Sequence, residues 1–250
     1  MPVQHDMSVR PPAPHSKLWR YMDVTKLASL LATSSLFFAR ADCFSDDWEG
    51  QVSSEEFEAW KDKAAGEADT DRLIQNYRRF FSGVRRHTYI SCWHRNDGES
   101  AAMWKLYLKS DEGVAVRSSF ARLRRQMDRS PRLISIGKVE YRDYKRKPVP
   151  GARPIEIGSA FVVGGHLTFF SKRAGFAHER EVRALFQDRF KTPDDPSEAS
   201  GGLPVQVDTE DLIEAIYVAP KTPTWLRDAV QSLLDKFGVH KAVCTSEFDD

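Results

Sequence analysis

The chain has 250 residues, of which 41% are hydrophobic and 29% charged, enough apolar mass for a real core in one domain or two small ones. Its 37 Lys plus Arg balance 36 Asp plus Glu, so there is no strong net field to draw in a polyanion, and any nucleic-acid contact has to come from a local patch. No stretch approaches the roughly 20 apolar residues of a bilayer span, and Cys43, Cys92 and Cys244 lack the paired spacing of a zinc site or disulfide framework. The expectation is a cytoplasmic protein with reduced thiols, no metal and no membrane partner.

Residues 1–16 are proline-rich and polar without an apolar signal core, and read as a flexible tail ahead of a single α+β domain over 17–250. Lys17 to Met22 reads as a strand, Asp23 as the N-cap of a helix carrying Val24, Leu27, Leu30 and Leu31, and Leu36 to Ala39 as a second strand. Arg40 to Gly50 has loop composition. Ser53 with Glu56 forms a capping box opening a charged helix to about Lys63, and a second helix covers Asp71 to Ser82, with arginines crowding its far end. His87 to His94 alternates as a strand, Asp97 is placed to cap a helix to Lys109, and Gly113 to Ser118 is a further strand. A basic helix from Ser119 and a strand from Leu133 to Tyr141 follow.

Lys145 to Pro154 reads as a loop, Ile155 to Phe170 as either helix or strand, and Glu179 to Gln187 as a strand. Lys191 to Gly202 has the composition of a mobile surface loop. The close reads as a strand at Leu203 to Val207, a short helix from Asp208, a strand at Ile216 to Val218, a helix from Pro223 to Phe237 ended by Gly238, and a last strand. Strands and helices mix without regular alternation, which predicts an α+β fold with mixed or antiparallel sheets and surrounding helices.

Two strands carry candidate chemistry. Period two sets Glu179, Glu181 and Arg183 along one face and Val182, Ala184 and Phe186 along the other. Adjacent acids repel and shift each other's pKa, while the nearby cation holds one ionised, so the row offers a base or a cation-stabilising carboxylate. The same row suits an exposed strand with ordinary ion pairs. On the other strand Tyr89, Ser91 and Trp93 share a face, two aromatic surfaces around a hydroxyl, which fits either ring stacking beside a ribose or a core strand. His94 reads as a packed or surface histidine, Trp104 and Tyr107 as helix core, and Cys92 as a small buried hydrophobe. No phosphate-cradling glycine loop, nucleophile elbow or helical histidine pair occurs.

The segments Leu18-Trp19-Arg20-Tyr21, Leu36 to Asp42, Ser91-Cys92-Trp93-His94, Ser100 to Tyr107, Gly113 to Val116 and Glu179 to Arg183 together resemble a bacterial family catalogued as domain of unknown function 2971. The resemblance runs from about Leu18 to Cys244 and implies a bacterial source and one domain, but no activity. A second similarity is to ADP-ribosyltransferases, which begin with a strand bearing Arg or His, continue with a helix and an apolar strand, and later show a serine strand and a Glu-x-Glu strand start. Arg20, Ser91, Glu179 and Glu181 occur in that order. That likeness implies NAD as substrate: Arg20 gripping its phosphate or ribose, Ser91 seating the nicotinamide ribose, and Trp93 or Tyr89 stacking the nicotinamide. Glu181 would stabilise an oxocarbenium-like transition state while Glu179 orients the acceptor. The usual Ser-Thr-Ser triplet is missing, and Arg183 has no counterpart role.

Three functional readings follow. The first is an ADP-ribosyltransferase-like enzyme acting on a protein or nucleic-acid acceptor, as a defence or toxin effector that a regulatory partner protein would restrain. The second is a nucleic-acid-binding or nucleic-acid-processing protein using Arg122, Arg124, Arg125, Lys145, Arg146 and Lys147 beside Tyr141 and Tyr144. The third is a non-catalytic interaction module.

Overall fold

In the computed structural model, Lys17–Asp23 forms the first strand, β1, and the Asp23 carboxylate accepts the backbone N–H of Lys26 at 2.8 Å. That cap opens helix α1, Val24–Thr33, whose Leu27, Leu30 and Leu31 are buried on one face. Ser34 closes the helix in the left-handed region, at φ 47°, and releases the chain into β2, Ser35–Arg40. The structure describes residues 9–46, 49–50, 58, 62, 70–108, 112–143, 155–157, 160–162, 165–188 and 201–249. The loop from Lys145 to Pro154 lies outside the described residues, as do the predicted helix from Ser53 to Lys63 but for Glu58 and Asp62, both helical, and Lys191 to Gly202 but for its last two positions.

The further elements, in order, are α2 (Thr70–Arg86), β3 (Thr88–Arg95), α3 (Ala101–Tyr107), β4 (Gly113–Ser119), α4 (Phe120–Asp128), β5 (Ser135–Lys138) and β6 (Glu140–Arg142). After them come β7 (Ile155–Ile157), β8 (Ala160–Val162), α5 (Gly165–Thr168), β9 (Ser171–Arg173) and β10 (Glu181–Gln187). The chain closes with β11 (Gly202–Gln206), α6 (Thr209–Leu212), β12 (Ala215–Val218), α7 (Thr224–Lys236) and β13 (Val243–Cys244). Nine of these strands join in one mixed sheet flanked by helices, the predicted α+β arrangement. No helix among the described residues is long and apolar enough to cross a membrane.

The sheet turns on β3. Along one edge it pairs antiparallel with β10 over its length, from Glu181 opposite His94 to Gln187 opposite Thr88. Along the other edge two strands share it: β2 takes Tyr89 and Ile90, and β1 takes His94 and Arg95. Ser91, Cys92 and Trp93 therefore face a fork where β1 and β2 part. Beyond β1 the order continues through β4, β12 and β13.

Alternation sorts the two faces. Leu18, Met22, Tyr89, Trp93, Val114, Val116, Val182, Ala184 and Phe186 pack with the apolar stripes of α1, α4 and α7 into the main core. On the reverse face Trp19, Tyr21 and Ala115 meet Met103 and Trp104 of α3, while Ile90 and Leu185 meet Phe169 and Phe170. Each of these fully buried large side chains contributes roughly 1.5–3 kcal/mol.

Four predicted boundaries are corrected. Ser100, not Asp97, caps α3, because the intervening turn is already organised by Asn96, whose amide donates to the carbonyls of Gly98 and Glu99. The strand expected from Leu133 to Tyr141 breaks at Val139, where the chain leaves β10 for a parallel pairing with β9. Glu179 is not on a strand: it ends a 3-10 turn, Ala174–Glu179, and Arg180 adopts φ 44° before β10 begins at Glu181. Residues 9–16 are packed rather than free, with Val9 buried and the carbonyls of Arg10, Pro14 and Ser16 accepting from Lys138, Ala121 and Phe120.

Beyond the β12–β13 pairing, the C-terminal segment is held by a buried carboxylate. Buried Glu99 accepts from the Trp104 indole, the Ser246 hydroxyl and the Glu247 backbone N–H, each at 2.8 Å. Replacing it, Glu99→Ala, leaves those donors without an acceptor. The substitution is expected to cost about 3 kcal/mol in urea unfolding and to speed amide exchange around residues 243–249.

Candidate active site

Arg20 leaves β1 at the fork. One terminal nitrogen donates to Ser91 Oγ and the other to the Phe37 carbonyl of β2 at 2.9 Å, so a single guanidinium spans β1, β2 and β3 where the strands separate. Its carbon lies 5.7 Å from the centre of the Trp93 ring, a cation–π distance. Burial pulls the Arg20 pKa below its ordinary value, though Cys92 and Tyr107 oppose the shift. The Trp93 indole N–H is buried and has no acceptor among the described residues. Tyr89 lies apart from this group: its ring is buried and stacks on Phe186 at 5.0 Å and 19°, so it presents no free face to a ligand.

The acidic residues gather on the reverse face. Glu181 and Arg183 emerge there beside His94 and Cys92, their cross-strand partners on β3. This row is not the exposed strand face that spacing also allows: Arg183 is 0% exposed, Glu49 2%, Glu181 5% and Glu179 6%. Buried charge has to be paired, and each of these finds partners. Arg183 Nε donates to Glu181 at 2.5 Å, while its Nη1 reaches both the Glu49 carboxylate and the Phe169 carbonyl, the latter at 2.6 Å. Lys172 of β9 lies between Glu179 and Glu181, 2.5 Å from the first and 3.3 Å from the second. The Tyr141 hydroxyl accepts the Glu181 backbone N–H at 2.7 Å.

This environment splits the two carboxyls. Desolvation, then a hydrogen bond to Glu181 and the repulsion of its charge, pushes Glu179 up to about 7. Burial pushes Glu181 the same way, but the Arg183 charge first, then Lys172 and hydrogen bonds from Arg183 and Glu179, hold it down at about 2. Below about pH 7 the pair holds one proton, mainly on Glu179, with the charge on Glu181, and near neutrality Glu179 is part ionised. That division of labour between neighbouring acids suits proton transfer beside cation stabilisation.

Strict alternation puts Ser91 and Trp93 on one face of the sheet and Glu181 on the other. Tyr107, at the end of α3, has a desolvated hydroxyl whose pKa is raised by burial and then by the fields of Cys92, Glu181 and Glu179, and Arg20 feels that same phenol and Cys92. Glu49, Lys172, Tyr141 and Tyr107 are absent from the sequence-derived site. Glu49 lies far along the chain from Glu181, Lys172 sits nine positions before it on a separate strand, and no spacing rule marks either.

The basic helix is spoken for. Arg122 and Arg125 of α4 pair with Asp211, and Arg124 pairs with Asp128. Lys145, Arg146 and Lys147 lie outside the described residues.

Two consequences are testable. An unfolded Glu179 ionises from about pH 4.5 while the folded one stays protonated to about pH 7, so its contribution to stability is greatest below pH 4.5 and is lost as pH rises through 7. Glu181 runs the other way, its contribution present above pH 4.5 and lost as pH falls toward 2. In Glu179→Gln the decline between about pH 5 and pH 7.5, on the order of 3 kcal/mol in the parent, should vanish from urea-unfolding profiles. Arg183→Met strands Glu181 and Glu49 without their counter-ion and should cost about 3–5 kcal/mol by the same measurement.

No family model matches the chain, and no curated protein matches it. Among solved structures it is similar to Thermus sp. 2.9 DarT in complex with NAD+, with a TM-score of 0.40 at 11% identity over 95% of this chain and 98% of that one. It is likewise similar to Thermus sp. 2.9 DarT in complex with ADP-ribosylated ssDNA, with a TM-score of 0.41 at 10% identity over 96% of this chain and 98% of that one. Scores and identities this low establish no residue correspondence.

Proposed function

We propose that this chain is an ADP-ribosyltransferase-like enzyme that binds NAD, breaks its nicotinamide–ribose bond and passes ADP-ribose to a macromolecular acceptor. One observation carries the reading. The strands bearing Arg20, Ser91 and Glu181 lie side by side as β1, β3 and β10, and Arg20 is held at the fork by Ser91. The resemblance to ADP-ribosyltransferases orders these residues along the chain, and their adjacency in space supports it.

In this reading the guanidinium of Arg20, with the free indole N–H of Trp93 nearby, receives a phosphate or ribose oxygen of NAD, and Ser91 seats the nicotinamide ribose. As the bond from the ribose carbon to the nicotinamide nitrogen lengthens, its electron pair leaves with nicotinamide and positive charge grows on the ribose. Glu181, ionised at any physiological pH, stabilises that charge without having to give up a proton first. The acceptor's nucleophile then bonds to the same carbon and loses its proton. Glu179, whose pKa lies near 7, orients that nucleophile and, in its ionised fraction, accepts the proton. Tyr89, stacked in the core, has no part in this scheme.

The rival readings lose ground on specific contacts. The α4 arginines of the nucleic-acid hypothesis are already neutralised by Asp211 and Asp128, and the polar strand face of an inert module would be surface rather than buried.

The test is incubation of purified protein with NAD labelled in its ADP-ribose, alone and with DNA, RNA or protein acceptors. Nicotinamide release with transfer to one acceptor class is the expected result; no NAD binding and no release would remove the proposal. Glu181→Gln should lower kcat by roughly 100-fold or more, whereas Arg20→Gln should act chiefly on KM for NAD.

A further inference from the structure

His94 occupies the junction of β1, β3 and β10. Trp19 pairs with it on one side and Glu181 on the other, and its ring meets the edge of Tyr21 at 6.1 Å. It is 3% exposed, so both ring nitrogens are removed from bulk water. Nδ1 lies 2.6 Å from the Glu179 carbonyl oxygen. A carbonyl only accepts, so Nδ1 carries a hydrogen and donates it. Burial, followed by the positive fields of Arg180, Arg95 and His178, keeps the ring neutral despite that hydrogen bond. Nε2 is therefore left with a bare lone pair.

That lone pair has no donor among the described residues. A buried acceptor without a partner is unfavourable, and such atoms in folded proteins call for an explanation. Lys172 is committed to Glu179 and Glu181, and the Trp104 indole donates to Glu99. A neutral O–H or N–H donor brought from outside would satisfy it. Because His94 and Glu181 are directly opposed on neighbouring strands, their side chains start about 5 Å apart on the same face.

We infer that His94 is a substrate-positioning residue whose Nε2 accepts a hydrogen bond from a hydroxyl of the ribose presented to Glu181. The inference rests on the NAD reading above and adds to it a contact on the acid side of the sheet. It also gives the Glu179 turn a purpose: the carbonyl there sets which nitrogen of His94 is bare.

Two substitutions separate the nitrogens. His94→Asn retains a donor near the Nδ1 position and removes the distal acceptor, while His94→Gln brings an amide oxygen to the Nε2 position. By calorimetry His94→Asn should bind NAD about five- to ten-fold more weakly than the parent with a similar Tm, and His94→Gln should recover most of the loss. In nitrogen NMR of the parent, the bare Nε2 resonance should shift when NAD saturates the protein. Parent-like affinity in His94→Asn, or an unmoved Nε2 signal in a protein that binds NAD, overturns this inference alone. A parent that binds no NAD overturns the NAD reading and this contact with it.

Discussion

A guanidinium sealed from water needs carboxylates around it, and the acid side of this protein is arranged to supply them to Arg183. Glu181 and Glu49 take its charge, the Phe169 carbonyl takes a further hydrogen, and Lys172 then balances what the acids leave over. Three separated stretches of chain, around Glu49, Phe169 to Lys172 and Glu179 to Arg183, are thereby drawn to one place. The same pairing holds the Glu181 carboxylate ionised in a buried site, so the interaction that draws these stretches together also sets the charge that the proposed reaction would use.

β3 is the other organising element, because it serves three strands with two edges. Where β1 and β2 divide its outer edge, Ser91 to Trp93 face a gap, and the Arg20 guanidinium bridges it. A fully paired sheet would have no opening at its centre. Here the split brings a cation to the main-core face while the strand on the other edge carries the acids to the reverse face. His94, at the last step of β3 before the strand ends, belongs to the acid side and is locked in one tautomer by the turn that precedes β10.

Local patterns were readable from the residues. The helical spacing of Leu27, Leu30 and Leu31, the Asp23 cap, the alternation of Tyr89, Ser91 and Trp93, and the Pro223-to-Gly238 helix all appear close to where they are expected, because each depends on neighbours a few residues away. The resemblance named Arg20 and Ser91, each as a separate contact to NAD, and gave no sign of the hydrogen bond between them. Glu179 shows the limit: spacing made it a strand residue in a row, whereas the His94 contact holds its carbonyl in a turn and its side chain reaches Glu181 through Lys172. Tyr89 shows another, since alternation cannot tell a ring that faces a ligand from one stacked on Phe186.

By itself, the amino-acid sequence determined the element types, the capped helix ends, the alternating faces of β3 and β10 and the α+β class, since these follow from short-range periodicity and hydrogen bonding. Tertiary structure alone decided that the polar row of β10 is buried, that Glu49 and Lys172 complete its charge balance, and that β1 and β2 share one edge of β3. The pairing of Glu49 with Arg183, more than a hundred positions apart, and the burial of the row depend on how the whole chain closes, and no window along it contains what covers and balances these charges.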